Sequence, residues 1–184
     1  MTELSTDRLL LRQWRDSDRD LFAALNADPA VMEHFPAPQT REQSDALIDR
    51  NIPQIDGRGW GLWAMEVRET GEFIGFTGLS VPSFEAHFMP AVEIGWRLSK
   101  GAWGNGYATE AARAALAHGF GPAGLDEIVS FTATTNVPSQ RVMQRIGMRH
   151  DEAGDFDHPR IEDGHRLKRH VFYRIDRAQW ESTR

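Results

Sequence analysis

Residues Val92-Glu93-Ile94-Gly95-Trp96-Arg97-Leu98-Ser99-Lys100-Gly101-Ala102-Trp103-Gly104-Asn105-Gly106-Tyr107-Ala108-Thr109-Glu110-Ala111 decide how the chain is read. Val92, Ile94, Trp96 and Leu98 alternate with Glu93, Gly95 and Arg97, the period of a β-strand. Gly101, Gly104 and Gly106 then open a loop with little side chain in it. From Ala108 the apolar positions Ala108, Ala111, Ala112, Ala115 and Leu116 form a helical stripe, which Gly119, Gly121 and Pro122 stop. A glycine loop at a helix N-terminus leaves backbone N–H groups free, with the positive end of the helix dipole behind them. Such a place binds anions, phosphate above all.

Three phosphate-binding classes share this arrangement. The dinucleotide fingerprint needs a third glycine near the chain start, and here Gly104-Asn105-Gly106 runs into Ala108 and Thr109 past mid-chain. The Walker loop ends in Gly-Lys-Ser/Thr, which is absent. The third is the acetyl-CoA loop of the GCN5-related N-acetyltransferases (GNAT), with the pattern Gln/Arg-x-x-Gly-x-Gly/Ala. Trp103-Gly104-Asn105-Gly106-Tyr107-Ala108-Thr109-Glu110-Ala111 resembles the ribosomal-protein N-acetyltransferase branch of that superfamily. Gly101 stands at the Gln/Arg position and offers no side chain to the pyrophosphate. A βα turn with its glycines serving only packing is the alternative.

The likeness extends from about Leu4 to Trp180. Thr6-Asp7-Arg8-Leu9-Leu10-Leu11-Arg12 is similar to the opening of that branch, as are Asp28-Pro29-Ala30-Val31-Met32 and Gly71-Glu72-Phe73-Ile74-Gly75-Phe76-Thr77-Gly78-Leu79. The resemblance implies one α/β (α+β) domain over residues 1–184. Its fold is a mixed, mostly antiparallel sheet with helices on both faces and two splayed central strands, between which acetyl-CoA lies.

Bulk composition agrees with one domain. The chain has 184 residues, 40% apolar and 26% charged, enough for a sizeable core. It has no cysteine, which excludes disulfides, thiolate metal sites and a cysteine nucleophile. The N-terminus has no signal-peptide pattern and no apolar run approaches the roughly 20 residues of a membrane span, so a cytoplasmic location is expected. A net charge of −6 argues against nucleic acid and is compatible with a cationic substrate. A homodimer is compatible with all of this.

The remaining elements follow from local signals. Arg8–Arg12 reads as the first strand, and Asp16, Ser17 and Asp18 as caps for a helix with Leu21, Phe22 and Leu25 on one side. Thr40 and Gln43 have capping-box spacing, and Pro53 is expected to end or kink the helix that follows, at about Ile52. Residues 60–67 and 73–79 read as a hairpin, 128–134 and 170–175 as strands, and 139–146 as a short helix with Gly147 behind it. Residues 151–165 read as a polar loop.

Acyl transfer to an amine needs a held pyrophosphate and pantetheine, a base for the amine and an acid for the leaving sulfur. Backbone donors of Gly104, Asn105, Gly106, Tyr107 and Ala108 are the candidates for pyrophosphate, and the resemblance adds main-chain atoms of Trp96, Leu98 and Ser99 for pantetheine. Asn136-Val137-Pro138-Ser139-Gln140-Arg141 resembles a second family signature, whose Asn binds pantetheine; Asn136 could equally be a helix cap. Many members carry an acidic tyrosine four residues after Ser139, where this chain has Met143. The resemblance to the ribosomal-protein branch implies Ser139 as the acid and as a further cofactor contact, against a plain first-turn serine. Glu93 is the candidate base, against a solvated edge carboxylate. The histidines around residues 150–165 match no zinc pattern and the aspartates no calcium loop, so no metal is expected. The implied enzyme transfers acetyl from acetyl-CoA to a primary amine, of a peptide N-terminus or a small molecule, directly within a ternary complex. A non-catalytic acyl-CoA sensor on the same fold is the alternative.

Overall fold

The sheet is built outward from one hairpin. In a computed structural model describing residues 2–182, β3 (Leu62–Val67) and β4 (Phe73–Ser80) pair antiparallel, with Gly71 at φ 71° in the turn between them. β1 (Leu4–Ser5) and β2 (Leu9–Arg12) extend that sheet on one side, and β5 (Glu93–Leu98) on the other. β6 (Glu127–Ala133) runs parallel to β5, and β9 (Arg169–Asp176) pairs antiparallel with β6. Two short strands, β7 (Arg149–His150) and β8 (Phe156–Asp157), both pair with β9. Nine strands among the described residues thus form one mixed, mostly antiparallel sheet, as expected.

Strand parity assigns the helices to faces. α1 (Asp18–Ala27) places Phe22 against Phe76 of β4, with α2 (Arg41–Arg58) beside it. α3 (Tyr107–Phe120) packs on the opposite face, where Trp63 meets His118 edge-on at 5.5 Å. α4 (Val137–Arg145) and α5 (Arg177–Ser182) share that second face: Gln144 reaches Tyr173 of β9, and Trp180 stacks on Phe120. Alanines at 111, 112 and 115 are fully buried, which lets α3 lie close on the sheet. A buried bidentate pair ties the start of α1 to β2: Arg12 donates to both carboxylate oxygens of Asp18, at 2.8 and 2.9 Å.

Several readings need correction. Arg8–Arg12 contains the second strand, because the short β1 precedes it. Pro53 does not end α2: the helix runs to Arg58, held by Ile48 and Ile55 on the core and by Asn51, whose Oδ1 accepts from Leu62 N–H. Ser17 occupies the cap position of α1 without a side-chain cap bond, and Asp18 instead accepts from Arg15 N–H. Leu21 faces solvent. The fourth helix begins at Val137 and ends at Arg145. The polar loop at 151–165 contains β8, and Asp155 ties it down by accepting from Phe172 N–H. The capping box of Thr40 and Gln43 is present as read.

Candidate active site

β5 and β6 touch at a single rung, Glu93 with Val129, and then part. Ser99 N–H bonds to Ile74 C=O of β4. By alternation, residues 93, 95, 97 and 99 turn their main-chain groups to β4, while Ile94, Trp96 and Leu98 turn theirs toward β6. At the next rung a side chain replaces the backbone: Ser130 Oγ donates to Ile94 C=O at 2.9 Å. Beyond it Leu98 C=O accepts from Trp103 Nε1. The N–H and C=O of Trp96 and the N–H of Leu98 are left facing the wedge with no strand opposite. That edge can pair with an extended amide-bearing chain, as an open strand edge does.

The glycine loop lies at the carboxyl end of β5. Gly104 and Gly106 adopt φ of 78° and 79°, a left-handed conformation that disfavours side chains with a Cβ. Gly106 caps α3, whose first bond out of the helix runs from Glu110 N–H to Gly106 C=O. Among the described residues, none of the six amides from Gly104 to Thr109 has an acceptor. Six orphan donors at a helix N-terminus fit a pyrophosphate, which offers several charged acceptors.

The loop is braced from the far end of the sequence, which spacing alone does not reveal. Arg8 donates to Asn105 C=O at 3.0 Å, pairs with Glu110 at 2.6 Å and lies over the Tyr107 ring at 4.8 Å. Thr6 Oγ1 donates to the same Glu110 at 2.6 Å. Thr6 and Arg8 of the opening motif and Glu110 of the loop motif thus form one cluster. The signal for it was the co-occurrence of the two motifs.

At the end of β6, Asn136 caps α4: its Oδ1 accepts from Ser139 N–H at 3.2 Å, and its Nδ2 donates to Thr132 at 2.9 Å. One Nδ2 hydrogen and one Oδ1 lone pair remain. The Ser139 hydroxyl has no partner among the described residues and is half-buried. Met143 is buried in the core, with no proton to give.

The other face of β5 carries Glu93, Gly95 and Arg97. Glu93 is half-buried on a central strand, so it is no edge carboxylate. Its side chain has no hydrogen bond or ion pair among the described residues. Desolvation pushes its carboxyl up to about 8. Nothing lies within 4 Å of where a Cβ on Gly95 would sit. Beside this face Phe84, Phe88, Phe131, Phe156 and Phe172 form a separate apolar cluster. His158 joins it 4.6 Å from Phe84, and burial pushes that imidazole down to about 4. No group of His, Asp and Glu among the described residues could hold a metal ion. No helix among them is long and apolar enough to cross a membrane.

Known proteins share this fold. Residues 8–149 match the acetyltransferase (GNAT) domain family. The chain is 36% identical over 152 residues to the uncharacterised Bacillus subtilis protein YkkB, covering 82% of this chain and 87% of that one. It is 32% identical over 193 residues to the FsC-acetyl coenzyme A-N(2)-transacetylase of Aspergillus fumigatus, covering 96% and 77%. A GNAT-family acetyltransferase structure from Bacillus anthracis superposes with a TM-score of 0.78 at 25% identity, over 96% of this chain and 99% of that one. A splayed sheet, a glycine loop with orphan amides and a domain match over most of its length place this chain in the GNAT family of N-acetyltransferases, which use acetyl-CoA and act on amines.

Proposed function

We propose that the chain acts as a single-domain enzyme that binds acetyl-CoA in the β5–β6 wedge and acetylates a primary amine directly within a ternary complex. The observation that supports it best is the run of unbonded amides from Gly104 to Thr109, aligned with the open edge of Trp96. Amides of Gly104, Asn105, Gly106, Tyr107 and Ala108 hold the pyrophosphate. Main-chain groups of Trp96 and Leu98, with the spare valences of Asn136, hold the pantetheine arm; Ser99, expected to join them, spends its N–H on Ile74 C=O and its C=O on Ala102 N–H. Acetyl-CoA supplies an acetyl thioester, whose transfer to an amine yields an amide and a thiol with one proton passing from nitrogen to sulfur.

Glu93 receives the proton of the amine at its carboxylate. Its carboxyl, pushed up to about 8, matches the basicity of an α-amino group, with a pKa of about 7.7–8.0. Matching of this kind favours general-base catalysis near neutral pH. Gly95 leaves space beside it for the approaching nitrogen. The Ser139 hydroxyl, unengaged at the mouth of the wedge, returns a proton to sulfur. About 13 Å of β6 at ~3.3 Å per residue separate Val129, opposite Glu93, from Ala133 near Asn136. Nitrogen and sulfur sit on the same carbon in the tetrahedral intermediate, so with Ser139 at the sulfur the more distant Glu93 takes the amine proton through water.

Thiol release with acetyl-CoA and a panel of primary amines tests the reading. Turnover with at least one amine, lost in Glu93→Gln, is the expected result. Acetyl-CoA binding without turnover on any amine leaves a sensor instead of an enzyme.

A further inference from the structure

Arg97 is the strongest unexplained group in the molecule. It is 9% exposed and has no carboxylate partner among the described residues. Its Nη1 donates to Asn26 Oδ1 at 2.6 Å and Gln39 Oε1 at 3.3 Å, both neutral acceptors. Its guanidinium carbon lies 4.2 Å from the centroid of Phe35 and 5.4 Å from that of Phe76. Its Nε is buried with no acceptor at all. Buried cations are ordinarily paired, because an unpaired one loses its hydration without recompense. Here the fold instead fixes the fork with two amides and two rings and leaves donors unused.

The position of this fork matters. Arg97 shares a strand face with Glu93, and Gly95 between them is open. With rising burial Glu93 holds its proton at neutral pH, and the Arg97 charge is then the fixed charge of that strand face. Burial likewise lowers the Arg97 guanidinium to about 10, the response of a cation lacking an anion.

We propose that Arg97 binds an anionic group of the acceptor, so that the amine substrate is a small molecule of amino-acid type, carrying a carboxylate or a related anion beside the amine. This rests on the acetyltransferase reading of the same face. It also replaces the cationic acceptor that net charge alone suggests. Guanidinium–carboxylate contacts are bidentate and directional, which suits a site meant to orient one end of a substrate while the other end reacts.

The test uses the full chain with acetyl-CoA and paired acceptors: β-alanine and γ-aminobutyrate, their neutral amides, and aminoalkylphosphonates of the same length. A hydrogen bond to a charged group contributes about 1.5–3 kcal/mol, equivalent to about 10- to 100-fold. Wild type should prefer the anions by that factor in kcat/KM. Arg97→Gln should lower kcat/KM on the anions by about 10- to 100-fold more than on the neutral amides, which erases the preference. Comparison of carboxylates with phosphonates tells which anion is read. Asn26→Asp supplies an internal carboxylate 2.6 Å from Nη1, with Ser44 able to rotate its hydroxyl toward it, and should erase the preference without removing any volume. Equal rates on anions and amides in wild type overturn the proposal, as does an equal loss on both in Arg97→Gln with its melting temperature intact. If no amine turns over, the acetyltransferase reading fails on its own. The Arg97 site is then read by melting: glutarate should stabilise wild type but not Arg97→Gln, and equal shifts overturn it.

Discussion

Replacing Glu93 by Gln keeps the shape of the side chain and removes the base. The informative variable is pH. A carboxyl at about 8 is ionised in about a tenth of molecules at pH 7 and nine-tenths at pH 9. An α-amine acceptor at about 7.7–8.0 loses its proton over the same range. Wild-type log kcat/KM should then climb with a slope near two below about pH 7.5, since two groups must be deprotonated. Glu93→Gln should climb with a slope near one. General-base loss typically costs about 10²–10⁴-fold, and that full defect is expected above pH 9. At pH 7 it shrinks about tenfold, because most wild-type molecules already carry the proton. Stability gives a second readout. The folded carboxyl binds its proton more tightly than an unfolded one near 4.5, so stability falls as pH rises from there toward 8. That gap corresponds to roughly 5 kcal/mol at 1.36 kcal/mol per pH unit as an upper bound. The variant should therefore gain stability over wild type at pH 9 and none at pH 4. Initial rates from pH 6 to 10 and melts at both ends measure all of this. Parallel profiles at a constant ratio would refute the reasoning and leave Glu93 only positioning the substrate.

Gly106→Val should abolish most of the melting-temperature rise caused by acetyl-CoA, which is worth about 2.7 kcal/mol at a hundred times Kd, because valine resists the φ of 79°; an undiminished rise places the cofactor elsewhere. Ser139→Ala should lower kcat more than it weakens acetyl-CoA binding, and a variant with wild-type kcat removes serine as the acid. Asp18→Ala should cost about 1–3 kcal/mol in denaturant unfolding, because buried Arg12 loses its bidentate partner and keeps Glu66 at 2.7 Å, and a loss under 1 kcal/mol contradicts that role.

The parts legible in the sequence were those with local causes. Alternation in Val92–Leu98 and the glycines behind it fixed a strand, a loop and a helix, and the spacing of Thr40 and Gln43 fixed a cap. The parts that were not legible have distant causes. α2 survives Pro53 because Ile55 and Asn51 beyond and before it pack and bond to the sheet. β7 and β8 are two residues each, too short for any period, and exist because β9 offers an edge. Asp155 reads as one acid in a solvated loop but is a tie to Phe172 N–H. Arg97 reads as an outward strand residue, and its partner Asn26 lies 71 positions away. Glu93 has the sequence of an ordinary carboxylate; only its surroundings raise it to about 8.

β5 divides the chemistry by parity. Its even residues, Ile94, Trp96 and Leu98, face the wedge with their main-chain groups, and their side chains pack toward α3. Its odd residues, Glu93, Gly95 and Arg97, give their main-chain groups to β4 and their side chains to the opposite face of the sheet. In the proposed function one strand therefore serves cofactor and acceptor together without either crowding the other. The register that makes this work is set by pairing with β4 from Ser80↔Glu93 to Gly75↔Leu98. A slip by one residue would turn Glu93 and Arg97 into the α3 core and Ile94 and Trp96 outward, so every buried position on both sheet faces opposes it. The same packing that stabilises the fold thus holds Glu93, Gly95 and Arg97 in order. Gly95 has no positive φ and no atom within 4 Å of its missing Cβ, so neither backbone conformation nor packing demands glycine there, as the proposed entry of the acceptor beside Glu93 requires.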